Sequence, residues 1–186
     1  MNKSEADVIK KDARIVCGVG FAFACVLGAL SHFFYEWSGE NIVAGVFFAA
    51  NESVWEHLKL VFFPFLLYFA IALPLAPRLY NRVFGAFAAT LVAAAFIPVV
   101  FYIYTAFTGE SVLAVDIVTF VVGVALGFAV AYGIFVTKSR HPALLCIIGA
   151  TGLAVIVACY FTLTLFAPDF ALFIDPRNGN YGLKTH

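Results

Sequence analysis

Two polar clusters contain every residue type needed to bind or process a cation. The stretch SHFFYEWSGE, residues 31–40, places His32 and Glu36 four apart, on one face of any helix that carries them. There an imidazole and a carboxylate can converge on one cation. The stretch NESVWEHLKL, residues 51–60, adds Asn51, Glu52, Glu56, His57 and Lys59 within one short segment. Imidazole and carboxylate together suit a divalent metal such as zinc, and a spare carboxylate beside such an ion can act as general base toward water. The candidate metal ligands are therefore His32, Glu36, Glu52, Glu56 and His57. Asn51, Lys59, Asp116 and Asp175 complete a wider ion- or solute-binding set.

One helix cannot gather these groups. At about 100 degrees per residue, Glu52, Glu56 and Lys59 share a stripe, and His57 points away from it. A site needs a second helix, and the segment bearing His32 is the candidate. Ser53 and Glu56 also have the S-x-x-E spacing of a capping box, in which serine bonds the glutamate amide and the glutamate reaches back to the serine amide. On that reading Glu56 is structural; on the other it is a ligand. Lys59 either pairs with a glutamate at i,i+3 or snorkels to the headgroups. Trp55 reads as an interfacial anchor.

The surroundings of these clusters are made for lipid. The chain is 63% hydrophobic, 17% aromatic and 12% charged, with mean hydropathy +0.99, too little polar surface to cover a water-soluble globule. Apolar runs of about 20 residues, the length that crosses roughly 30 Å of hydrocarbon, occur over residues 15–35, 53–75, 83–107, 113–135 and 143–166. None alternates as a barrel strand would. The expected fold is an all-α integral membrane bundle of five transmembrane helices, one domain over residues 1–186. The apolar segment from Asn41 to Ala50 is too short to cross and must return to the side it left, as a re-entrant or an interfacial half-helix. Pro64 and Pro98 should bend the second and third spans, Pro64 freeing the carbonyl of Leu60.

Orientation follows from the basic residues. Lys3, Lys10, Lys11, Arg14, Arg78, Arg82, Lys138 and Arg140 sort to one side, while only Lys59, Arg177 and Lys184 fall on the other. The positive-inside rule places the N-terminus, with a tail over residues 1–13, in the cytoplasm and the C-terminus outside a cell (inner) membrane. Most carboxylates sort oppositely: Glu5, Asp7 and Asp12 fall on the cytoplasmic side, and Glu36, Glu40, Glu52, Glu56, Glu110, Asp116, Asp169 and Asp175 on the outer. Such positions suit Glu40, Glu110 and Asp169 as plain loop residues; Glu52, Glu56 and Asp116 stand at helix starts, where ionisable groups are costly and often functional. The tail APDFALFIDPRNGNYG has Asp-Pro and Asn-Gly turn steps and should fold as an outer cap over residues 167–186. Lys10, Lys11 and Arg14 before an apolar run ending at Ala29-Leu30-Ser31 imitate a secretory signal, but the run continues through aromatics suited to an interface, which predicts that it is retained.

The four cysteines lie within spans without metal-type pairing and read as packing residues. Gly123, Gly127 and Ala131, four apart, allow a close helix approach, either within the chain or in a homo-oligomer. The lipid bilayer is the expected partner. Nucleic acid is not, since the few basic residues are explained by topology.

The combination of SHFFYEWSG, NESVWEHLKLVFFP and FIDPRNGNYG resembles a family of small bacterial polytopic membrane proteins, domain of unknown function family 6512, over nearly the whole chain. The resemblance implies a polytopic membrane protein with signature residues His32, Tyr35, Glu36, Asn51, Glu52, Trp55, Glu56, His57 and Lys59, and it implies no activity. Three function classes stand: binding or permeation of a proton, metal ion or small cationic solute; a metal-dependent membrane hydrolase; and a non-catalytic assembly or stability factor.

Overall fold

A computed structural model of the chain describes residues 3–183. Its helices are α1 (Lys3–Trp37), α2 (Ile42–Phe47), α3 (Val54–Leu75), α4 (Arg82–Thr108), α5 (Leu113–Phe135) and α6 (Pro142–Leu165). Five of them, all but α2, are long and apolar enough to cross a membrane, so the architecture is the all-helical bundle that the apolar runs predict. The protein is a multi-pass membrane protein.

The N-terminal tail does not stand apart from the first span. One stripe of buried residues, Ile9, Ala13, Cys17, Gly20, Ala24, Gly28, Ser31 and Tyr35, runs three or four residues apart along the whole of α1. At about 1.5 Å per residue this helix is about 52 Å long, so it overshoots the roughly 30 Å hydrocarbon core. Its stripe packs on α3 and α5. The centre of the bundle is α3, with 56% of its span buried against 11% for α6. Phe65, Phe69, Phe128 and Phe135 interlock there.

Close backbone approach explains the small residues. A Cβ at Gly127 would lie 2.8 Å from the Ala89 carbonyl of α4 and 2.9 Å from the Phe65 ring. Gly123, Gly127 and Ala131 are all buried, so the small-residue stripe serves α4–α5 packing within the chain. Gly28 plays the matching part on α1. The carbonyl of Leu60, freed by Pro64, would stand 2.5 Å from a Cβ there.

Contacts between loops sort the bundle's ends. Arg78 lies 3.6 Å from Asp12, Tyr80 N–H donates to Phe135 O at 2.9 Å, and Asn81 donates to Thr137 O at 2.6 Å. The basic first turns of α1, the α3–α4 turn and the α5–α6 turn thus share one end. At the opposite end the chain after α6 turns back over α3, where Trp55 N–H donates to Leu172 O at 2.9 Å and Asn51 Nδ2 donates to Gly182 O at 3.1 Å. An antiparallel bridge joins Ile174 and Tyr181. This is the folded cap that its turn residues predict, and it lies on the end where both polar clusters sit. Lys184 lies outside the described residues.

Candidate metal centre

The start of α3 decides which polar groups meet. Ser53, in extended conformation, caps the helix, its hydroxyl accepting from Glu56 N–H at 3.3 Å. The helix therefore begins at Val54, and Glu52 lies before it rather than on the helical stripe with Glu56 and Lys59. Only half of the capping box forms. The Ser53 amide donates to Asn51 Oδ1 at 2.8 Å, and Glu56 turns the other way.

Freed from the stripe, Glu52 reaches the two histidines. Its Oε1 is 3.8 Å from His32 Nε2 and its Oε2 is 3.6 Å from His57 Nε2. The imidazole rings stand 5.3 Å apart, centroid to centroid. One ligand atom from each of His32, Glu52 and His57 lies within 4.8 Å of the others. His57 Nδ1 sits 2.9 Å from Ser53 O. A carbonyl only accepts, so Nδ1 carries the proton and, in the neutral ring, Nε2 turns a lone pair toward the Glu52 carboxylate. Such a pair of acceptors can be bridged by a proton or by a metal ion alike. The hydrogen bond to Ser53 is also the kind of outer contact that orients a metal-ligating histidine. His32 has no such contact: its buried Nδ1 lacks a hydrogen-bond partner, and its ring is held instead against Phe33 and His57.

Ligand atoms held about 2.0–2.2 Å from a tetrahedral zinc stand about 3.4 Å apart. The three ligand atoms, within 4.8 Å of one another, would have to draw closer to reach that size. Two imidazoles and one carboxylate leave a fourth position open, the donor pattern of catalytic rather than structural zinc. The side chains of His32, Glu52 and His57 are 33%, 24% and 35% exposed, so that position is accessible.

The other candidates fall elsewhere. Glu56 and Lys59 form a buried ion pair, Nζ to Oε2 2.7 Å, with side chains 3% and 0% exposed. Lys59 also donates to Gly45 O at 2.7 Å, and Glu56 Oε2 accepts from Ala50 N–H at 2.8 Å. Of the two roles open to Lys59, the structure has the i,i+3 pairing. This pair tethers α2 and the following turn to α3. α2 is further wedged by Phe47 against Phe63 and Phe161. Glu36 is exposed and is not among the grouped ligands. His32 meets Glu52 across the bundle instead of its i,i+4 neighbour. Asp116 accepts from the Tyr104 hydroxyl and closes the α4–α5 hairpin. Asp175 is buried and organises the cap, accepting from Arg177 N–H and Asn178 Nδ2, both at 2.9 Å. Asn51 bonds the cap and the Ser53 amide.

One participant escaped the sequence reading. Arg177 Nη1 stands 3.2 Å from Glu52 Oε1, projected by the turn that Asp175 builds. Its only signal was the Asp-Pro-Arg-Asn-Gly turn pattern, which announces a bend and says nothing of what the bend presents.

No curated protein and no solved structure matches the chain. Its affiliation rests on the match of residues 1–183 to a family model described as a family of unknown function, and the chain belongs to that family, DUF6512.

Proposed function

We propose that this multi-pass protein of the cell (inner) membrane binds a divalent transition-metal ion, zinc by its donor chemistry, at its outer face through His32, Glu52 and His57. The single observation that carries the reading is the grouping of three ligand atoms within 4.8 Å from two segments far apart in the chain: the end of α1 and the stretch that leads into α3. Outer placement is supported by the basic residues gathered at the opposite end. Imidazole nitrogens with a carboxylate favour zinc over calcium or magnesium, which take oxygen ligands.

Metal analysis of protein purified in mild detergent, without added metal and then after loading, tests the reading. Wild type should hold one zinc per chain. His32→Ala, Glu52→Gln and His57→Ala should each lose it while extracting in normal yield, and Glu36→Gln should keep it. Wild-type protein that stays metal-free after loading, or variants that bind as wild type does, would overturn the assignment and favour a purely architectural role for the cluster.

A further inference from the structure

Resting on that metal reading, we infer that the loaded site takes a phosphate group as its fourth ligand, held jointly by the metal and Arg177. The argument begins with charge. In the metal-free cluster Glu52 and Arg177 neutralise each other at 3.2 Å, and both imidazoles can be neutral. A divalent ion then leaves two formal positive charges uncompensated at one open position.

The geometry supplies a second donor beside that position. Arg177 contacts the same oxygen, Oε1, that faces His32 Nε2. An ion on that oxygen would weaken its bond to the guanidinium, which stands beside the site. The backbone that projects it is held from within the turn: Arg177 N–H donates to Asp175 Oδ1, and Gly179 N–H donates to Asp175 O at 2.8 Å. Arg177 is 73% exposed, so its remaining N–H groups face outward beside the ion. A planar fork of donors next to a Lewis acid fits a phosphate, whose oxygens can ligate the metal and accept from arginine together.

The surroundings bear on where such a phosphate would come from. Trp37, Phe166, Phe170 and Tyr181 are exposed around the cap end, an aromatic rim of the kind that settles at headgroup level. A lipid phosphomonoester and free inorganic phosphate offer the same group, and they are the two arms of the test.

Binding of inorganic phosphate and of dioctanoyl phosphatidate would be measured by titration calorimetry on the full chain in detergent, zinc-free and zinc-loaded, for wild type and Arg177→Gln. Zinc stoichiometry would be determined on every sample. Zinc should tighten wild-type binding of at least one ligand about tenfold or more, and Arg177→Gln should retain its zinc and lose that gain. A gain for phosphatidate alone identifies the lipid source, and a gain for both assigns recognition to the phosphate itself. No gain in either arm with zinc bound, or a gain that survives Arg177→Gln, would overturn the inference while leaving the metal site standing. A zinc-free wild type would instead refute the metal reading and this inference with it.

Discussion

Replacing Glu56 with glutamine removes a charge and almost nothing else. Oε2 accepts from both Lys59 Nζ and Ala50 N–H, and a glutamine oxygen in the same place can keep both bonds. What disappears is the compensation of an ammonium group whose side chain is wholly buried. At 2.7 Å and an effective dielectric of about 20, the gross attraction is about 6 kcal/mol. Part of this is recovered because the carboxylate no longer has to be desolvated. Breaking one side of a buried pair costs about 3–5 kcal/mol, which is the expected loss here. Reversible unfolding in mixed micelles titrated with denaturing detergent would measure it for wild type, Glu56→Gln, Lys59→Met and the double variant. The double variant should recover most of the loss, since it leaves no uncompensated charge. Glu56→Gln should still bind zinc below its unfolding transition, because Glu56 is separate from the ligand cluster. A Glu56→Gln protein within about 1 kcal/mol of wild type, or a double variant no better than the worse single one, would refute the view that charge compensation holds this region together.

Other expectations follow from single contacts. Ser53→Ala should cost about 0.5–2 kcal/mol by removing the α3 N-cap, read in the same unfolding assay. Gly127→Ala should cost about 1–3 kcal/mol, since its Cβ would stand 2.8 Å from the Ala89 carbonyl. Zinc affinity should fall as pH is lowered, because metal ligands must be deprotonated to bind, and rise again on return; equilibrium dialysis against zinc would show it. A topology reporter fused after His186 should be active outside the cytoplasm, and reporters near Arg78 and Arg140 inside it. Cytoplasmic activity at His186 would reverse the orientation on which the outer site depends.

Much of the architecture was legible because a bilayer limits what a chain can do. Apolar runs of spanning length must be helices when no alternation is present, and sorted Lys and Arg residues assign their ends. The cap was legible in the same way, from Asp-Pro and Asn-Gly. The extent of α1 was not, because its first turns are polar in composition; only the partners of Ile9 and Ala13 reveal that the stripe continues. His32 and His57 were recognisable as candidate ligands that need a second helix. Their shared carboxylate was harder to choose, as Glu36, Glu52 and Glu56 are equally available in one dimension.

The sequence by itself determined a helical membrane bundle, the polar residues gathered at one of its ends, and the chemistry that imidazole and carboxylate can perform together. These follow from residue type, run length and charge sorting, which are local properties. Tertiary structure decided how the carboxylates are allotted. By capping α3, Ser53 puts Glu52 outside the helix and in reach of two histidines and Arg177, and leaves Glu56 inside it with Lys59. A difference of one turn in backbone direction separates an accessible carboxylate from a buried ion pair. That direction depends on contacts from residues far away in the chain, such as Leu172 and Gly182, which no short-range spacing encodes.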